Sequence, residues 1–547
     1  MSEVTETSVI VVGGSLIGLS AALFLSHWDV PVILLERHLG SSLHPRAFGY
    51  TARTLELFRS VGVEDKLPKS RWIGGPPKRV IVETLAGKWH EASDWTASKG
   101  KGENGAGPGN KKPADFGDYS PVTGVAVAQD QIEPVLRSCA RDLGADLRLG
   151  YKVIDCVEDD EGVSVTAVDK EGATSKYRAE YLVACDGAHS PIREGLEIKR
   201  SGVGHIRGLR SILFRCQRIE EYLNHGYSQF QVEGSDKSFE ALMTTYGDGR
   251  WMLAWHDETE IPLSEATQKD WIRKAVGLDL ADDEVDLITT GKWDLGGFIA
   301  DSFSTKRIFL AGDAAHQLPP NRGGYGANTG FADAHNLSWK LASVLSGKST
   351  PELLGTYDEE RRPVAQTRHD QIFARPDYAR FLSEKQDWPG KGCEVIDDIA
   401  MELGQLYRSK GFVGAGNDLP PAKVPDAWDG QPGSRAPHAH LKKGGKPISS
   451  LDLFGKTWVV LSGDESWRSC VAKVAEKTGI ACVFVCIGQD VNEEGDEGSL
   501  SQLFGIGVRG ASLIRPDGFI AWKAVDKDAQ GSFMDDFQKV SFATNTA

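Results

Sequence analysis

The sequence predicts a three-part α/β protein: a doubly wound parallel fold, a β-rich segment inserted into it, and a small α/β domain at the end. Three observations lead there. The N-terminus reads strand, tight turn, helix, strand, which is a βαβ unit. Repeated short strand patterns interrupt that alternation between about residues 205 and 295, and it resumes at Arg307. A Gly-, Pro- and Asp-rich stretch at 411–437 then precedes a second alternation of strands and helices.

The elements follow in order. Residues 9–12 form an apolar run ending at glycines; an amphipathic helix through Ala21 and Leu25 leads to a second strand at 32–35. Residues 45–60 read as helical, with Leu55, Leu57 and Phe58 apolar and an end at Gly62. The segment between Gly100 and Pro113 has nothing to bury and reads as a loop. Residues 122–127 and 163–168 alternate as strands, 131–139 reads as a helix, and 181–184 is a buried strand. Within the insert, 211–215 and 250–255 are strands. A helical stretch runs from Pro363 to about Leu406, and 411–437 reads as a linker. Strands at 457–461, 481–486 and 511–514 belong to a separate tail domain. The resulting bounds are 1–80, 114–200 and 296–375 for the first fold, and 81–113 and 201–295 for the insert. The helical segment and linker occupy 376–430, and the tail 431–547.

Composition narrows the function. At 547 residues the chain exceeds the roughly 250–300 at which a single core stops growing. A formal net charge of −15 argues against nucleic acid or an anionic membrane as partner. No apolar run approaches the ~20 residues of a bilayer span, and the polar start MSEVTETS has no signal-peptide core, so a cytoplasmic location is expected. The eight cysteines lack CxxC spacing, so neither a metal site nor a disulfide framework is indicated.

Three motifs carry chemistry. Gly13-Gly14-Ser15-Leu16-Ile17-Gly18 joins a strand to a helix, as in dinucleotide-binding turns. Gly13 permits the turn, Gly18 lets helix and strand approach, and Ser15 replaces the middle glycine with a small group able to donate to a phosphate. Glu36 ends the second strand, where a carboxylate can accept from both ribose hydroxyls. The second motif is Asp186-Gly187-Ala188-His189-Ser190-Pro191-Ile192-Arg193, after a strand. The third, Gly312-Asp313, also follows a strand, so its acid reaches the carboxyl edge of the sheet and can hold a ribityl hydroxyl, a group FAD has and NAD lacks. Pro320 to Asn328 then leads into a helix whose first amides, near Gly326 and Ala327, favour an anion such as reduced flavin.

These elements, in this order and at these separations, resemble the single-component FAD-dependent aromatic hydroxylases, the group of para-hydroxybenzoate hydroxylase and phenol hydroxylase. The resemblance spans nearly the whole chain. His44-Pro45-Arg46-Ala47 with Arg53-Thr54-Leu55-Glu56 is similar to the family's second flavin-contacting segment, and Gln129, Glu133 and Leu136 to its QxxxExxL helix. Pro432-Gly433-Ser434-Arg435 and Arg515-Pro516-Asp517-Gly518 are similar to a thioredoxin-like C-terminal domain. The resemblance implies a Rossmann-like FAD-binding domain, a β-rich substrate domain and that thioredoxin-like tail. By it, Gly13, Ser15, Gly18, Glu36 and Arg37 serve the AMP half of FAD, and Arg46 and Gln129 the flavin side. Gly312 and Asp313 hold the ribityl chain, Asp186 and Arg193 serve FAD and NAD(P)H, and Pro320, Gly326, Ala327 and Asn328 border the flavin.

The family's chemistry uses NADPH or NADH and dioxygen to place one oxygen on a phenolic or polyketide-derived ring through a flavin hydroperoxide, with water excluded. Gly202-Val203-Gly204 lacks a preceding strand and is no second nucleotide turn, so the nucleotide docks transiently. Arg215 and Tyr246 are the catalytic candidates, with Trp255 as a further wall of the substrate site; as bland readings all three are sheet residues. His438 and His440 read as an exposed surface pair rather than a metal site. Cys470 stands alone, so the tail is expected to serve interaction or homodimer formation rather than thiol exchange. Baeyer–Villiger, epoxidising or decarboxylating oxygenation would use the same flavin site, and a non-catalytic flavin protein is the reading from another class. A halogenase is disfavoured, because no Ile-Pro follows Trp251 and Trp255.

Overall fold

The structure, a computed structural model, describes residues 4–69, 78–90, 116–234, 239–259, 261–320, 324–383, 385, 387–494 and 499–544. The loop read between Gly100 and Pro113 lies outside them.

A seven-stranded sheet organises the first domain. Its order is Asp146–Leu149, Val32–Glu36, Val4–Val12, Thr174–Ala184, Val163–Val168, Lys152–Glu158, with Ile308–Leu310 also paired to Thr174–Ala184. The central strands run parallel, and their runs Val9-Ile10-Val11-Val12 and Val32-Ile33-Leu34-Leu35 are buried. Burial on both faces explains why they read as continuous rather than alternating apolar runs. The helices Leu16–His27 and Tyr325–Leu345 pack together in the same core.

The insert is a second seven-stranded sheet, ordered His316–Gln317, Asp286–Ala300, Arg200–Arg215, Arg250–His256, Glu240–Thr245, Gln229–Glu233, Arg79–Val82. Its own core contains Phe214, Phe230 and Trp251. Trp255 belongs to that core as well. It is 5% exposed and stacks on Trp271 with ring centres 5.1 Å apart, so it is no wall of a substrate site.

The tail has a four-stranded sheet ordered Cys482–Cys486, Trp458–Ser462, Ala511–Ile514, Ile520–Ala524. The first pair is parallel across the helix Trp467–Thr478, the others are antiparallel, and the helix Phe533–Ser541 follows. That β-α-β-β-β-α path is the thioredoxin topology. The tail is not separate, however. Trp339, Leu353 and Val364 of the first domain share one apolar cluster with Trp458 and Trp467 of the tail.

Four local expectations need correction. Only Ala52–Ser60 of the segment 45–60 is helical, because Tyr50 pairs with Val125 in an isolated bridge. That bridge is all that forms of the strand expected at 122–127. The helix assigned after Pro363 is Glu352–Ala374, continuous through Pro363, and beyond it stand the short helices Pro376–Ala379 and Asp398–Leu403. Pro363 is exposed, so its ring and the carbonyl it leaves unpaired face water, where a helix tolerates them. The segment 411–437 is packed rather than a free linker. Phe412, Ala422, Trp428 and Ala436 are buried, and Arg435 bridges to Phe519.

Candidate active site

Four parallel strands end level with one another: Val12 lies opposite Leu35 and Ala184, and Leu310 opposite Ala184. The residues that follow them therefore gather along one edge: the Gly13 turn, Glu36, Asp186 and Asp313. Open α/β sheets bind ligands at this edge.

The turn admits only glycine at its two ends. Gly13 has φ 101°, and a Cβ there would lie 2.3 Å from the Cys185 carbonyl oxygen. A Cβ on Gly18 would lie 1.8 Å from the Gly13 carbonyl oxygen. Ser15 behaves differently from the sequence expectation. Its hydroxyl donates to Glu133 Oε1 (2.7 Å) and accepts from Gln129 Nε2 (2.9 Å). With its proton given to a buried carboxylate, Ser15 is engaged within the protein, and the backbone amides at the start of the helix Leu16–His27 face the site. Gln129 Oε1 accepts from the amides of Arg46 (3.1 Å) and Ala47 (3.3 Å), so one triad ties the turn, the helix Gln129–Asp142 and the Arg46 segment together. Sequence offered one clue to it, the i,i+4 spacing of Gln129 and Glu133; Ser15 is 118 residues from Glu133.

Glu36 is half-buried and accepts from the amides of Gly14 (2.5 Å) and His38 (2.7 Å). Arg37 is exposed beside it, donating to His38. Across the edge, the Asp313 carboxylate is open to solvent and makes no hydrogen bond among the described residues. The surrounding protein raises its pKa, opposed by the charges of His316 and Arg46. The fold thus brings Arg46, itself exposed, into electrostatic reach of Asp313.

The loop that carries Asp313 is braced by residues that sequence reasoning missed. Asp333 Oδ2 accepts from the Gly312 amide (3.2 Å) and bonds His316 Nε2 (2.7 Å). Arg361 Nε donates to Asp333 Oδ1 (2.8 Å), and its Nη1 donates to the Tyr407 hydroxyl (2.7 Å). The Tyr407 ring stacks on Phe519 of the tail at 4.0 Å. Asp333 is fully buried; against burial, which would raise it, His316 and Arg361 hold its pKa below the usual carboxylate range.

Two expected cofactor contacts serve as braces within the protein. Arg193 is 1% exposed, and its Nη1 donates to the carbonyls of Ala188 (3.1 Å) and Ala314 (3.0 Å), joining the second and third motifs from behind. Asn328 spends its amide on protein: Oδ1 accepts from the Thr51 amide (3.1 Å) and the Thr54 hydroxyl (2.6 Å), and Nδ2 donates to Gly49 and Gly324. Gly326 and Ala327 lie in the first turn of the helix Tyr325–Leu345, which no side chain among the described residues caps. Pro320 is exposed, and its carbonyl accepts from Tyr378. Residues 321–323 lie outside the described residues.

FAD fits these groups. A glycine turn at a helix N-terminus suits its pyrophosphate, Glu36 its adenosine ribose, and the unpartnered Asp313 its ribityl chain. Asp186 accepts from the Ile192 amide through Oδ2, while its Oδ1 is buried without a partner, a further acceptor at the edge. The N-terminus of the helix at Tyr325 suits negative charge on the flavin.

The catalytic candidates fare less well. Tyr246 is 8% exposed, donates to the Pro45 carbonyl (2.9 Å) and packs edge-on against Phe48. It is a donor between insert and first domain, and burial pushes its phenol above its usual range. Arg215 is exposed on the rim of a cavity of about 520 Å³. His438 is buried, not a surface residue: it bonds the Ser449 hydroxyl at 2.8 Å, and burial lowers its pKa to about 4. Cys470 lies on the helix Trp467–Thr478 with no other cysteine there.

Residues 6–371 match the family described as FAD binding domain, and residues 429–540 match the aromatic-ring hydroxylase C-terminal family. The chain is 36% identical to a 4-methyl-5-nitrocatechol 5-monooxygenase of Burkholderia sp, over 98% of this chain and 97% of that protein. It is 34% identical to the tetracenomycin A2 monooxygenase-dioxygenase of Streptomyces glaucescens, over 99% and 98%. A crystal structure of aklavinone-11 hydroxylase with FAD and aklavinone superposes with a TM-score of 0.83 at 28% identity, covering 99% of this chain and all of that one. The chain belongs to the FAD-dependent aromatic-ring hydroxylases, and it is a flavin monooxygenase.

Proposed function

We propose that this monooxygenase uses NADPH or NADH and dioxygen to hydroxylate an electron-rich phenolic ring, monocyclic or polyketide-derived, held between the Asp313 edge and the insert. One observation carries the placement. The short strand His316–Gln317, three residues past Asp313, pairs with Phe298 and Ile299 and so becomes the edge of the insert's sheet. The loop that meets the cofactor and the sheet that roofs the substrate are one continuous piece of backbone.

Bound FAD supplies the reductive activation of dioxygen. The chain's own residues do the rest. Glu36 and the Gly13 turn hold the adenosine end, Asp313 and Arg46 hold the middle, and the Asp333–Arg361 pair keeps the Asp313 loop in place. Arg193 and Asn328 fix the neighbouring loops, and the insert excludes water from the ring. The tail acts as a clamp on this assembly rather than as a thiol enzyme.

Turnover under isotope-labelled dioxygen, with phenols and aromatic polyketides screened for stimulated NAD(P)H consumption, tests the reading. Label in a new ring hydroxyl, with one nucleotide oxidised per product, is expected. Label in a lactone would replace hydroxylation by Baeyer–Villiger chemistry, and product without label would rule out oxygenation.

A further inference from the structure

A cavity of about 520 Å³ opens between the segment after the second strand, the start of the helix Gln129–Asp142 and the insert's sheet. Ser41, Ser42, Asp130, Arg137, Arg215 and Arg250 supply its polar lining. Three arginines converge there, and they are not equivalent. Arg250 is neutralised by Asp130 (2.7 Å) and Asp248 (2.6 Å). Arg137 and Arg215 have no carboxylate within 4 Å among the described residues. Arg137 reaches only the Ser41 hydroxyl (3.3 Å), and its Nε is buried with no partner. Arg215 makes one long bond, to the Asp248 carbonyl (3.4 Å).

Three cations against two carboxylates leave a cationic surplus inside a cavity of a protein whose net charge is −15. Guanidinium groups held in place without an acid are donors waiting for an anion, and their planar fork suits phosphate. The volume falls within the range of small-ligand sites. The cavity also adjoins the cofactor edge: Asp130 follows Gln129, which binds the Arg46 amide. We infer that this cavity is a phosphate-binding site for the pyridine nucleotide, with Arg137 and Arg215 as its anchors. The inference rests on the reading that a pyridine nucleotide is the reductant. It explains how a chain with a single glycine turn can hold a second nucleotide: the anion is taken by side chains instead of backbone amides.

The phosphate could be the 2′-phosphate of NADPH or the pyrophosphate that both nucleotides carry, and binding separates the two. The test is calorimetry of NADP⁺, NAD⁺ and inorganic phosphate against FAD-loaded wild type, Arg137→Ala, Arg137→Lys and Arg215→Ala, with the flavin spectrum as the check on folding. Each alanine variant is expected to weaken NADP⁺ at least about tenfold while retaining FAD, and Arg137→Lys to recover part of the loss because the charge is kept. Loss confined to NADP⁺ assigns the 2′-phosphate; equal loss for NAD⁺ assigns the pyrophosphate. Unchanged nucleotide affinity in flavin-replete variants overturns the site, as does a defect seen only with the aromatic substrate. Wild type that oxidises neither NADPH nor NADH would instead overturn the underlying reading of the reductant.

Discussion

Replacing Arg515 by Met should uncouple the tail from the flavin domain. Arg515 is 1% exposed and donates to both oxygens of Glu360 (2.8 and 2.9 Å) and to Asp517 Oδ1 (3.0 Å). Glu360, also buried, keeps Lys340 at 2.9 Å. With Arg515 present the cluster holds two cations and two carboxylates. Without it Asp517 loses its ion-pair partner while staying 4% exposed. Stranding one member of a buried pair costs about 3–5 kcal/mol, roughly a hundred-fold to several thousand-fold in an unfolding equilibrium. Guanidinium titration followed by tryptophan fluorescence reports on it directly, because Trp339 lies 5.1 Å from the Arg515 guanidinium. Adding Asp517→Asn should restore at least about 1 kcal/mol, since it removes the stranded charge and the two sites are in contact. A loss below about 1 kcal/mol for the single variant, or a double variant worse than the sum of the singles, would refute the reasoning.

Other outcomes follow from the same geometry. Asp313→Asn removes an unpartnered acceptor and should weaken FAD by about 10- to 150-fold, the worth of a charged hydrogen bond, in a fluorescence titration; equal affinity would remove Asp313 from the site. Gly18→Ala would bring a Cβ to 1.8 Å from the Gly13 carbonyl oxygen, so purified variant protein should contain no flavin. Glu56 and Glu360 are held below their usual pKa, although burial alone would raise both, by Arg435 with Arg53 and by Arg515 with Lys340 respectively. The unfolded chain therefore takes up protons first, and stability present above about pH 4.5 should fall as the pH drops below it; a denaturation midpoint flat from pH 6 to 3 would contradict this. Cys470→Ser should leave turnover unchanged, because no second cysteine of its helix is available for a disulfide; lost activity with full flavin content would reinstate thiol chemistry.

What sequence revealed about the site was its local part. Gly13, Gly18 and Glu36 lie within one βαβ unit, and Asp313 stands three residues past its strand, so spacing along the chain was enough to propose them. The braces were illegible for the opposite reason. Asp333 meets His316 across 17 residues, Arg361 meets Tyr407 across 46, and Phe519 comes from another domain. Composition also misled at 411–437, where Gly, Pro and Asp suggested a linker. Those residues shape tight turns, while the sparse apolar ones among them, Phe412, Ala422 and Trp428, anchor the segment. Trp255 sat on a correctly read strand, and Tyr246 lies just past the strand Glu240–Thr245. Which face of a sheet is core and which meets ligand is set by the neighbouring strands, not by the residues themselves.

The buried ion pairs between flavin domain and tail also bear on how the chain is made. Glu56 finds its partner Arg435 after 379 residues, and Glu360 meets Arg515 after 155. At about 5–20 residues per second, those acids leave the ribosome roughly 20–75 and 8–30 seconds before the tail arginines, while Arg53 and Lys340, their other partners, are made close to them. During that interval each carboxylate has one of its two cations, and water stands in for the tail arginine. The nascent flavin domain is therefore an open vessel until the last strands arrive. The contacts that join the two domains can form only after the C-terminal quarter has been translated.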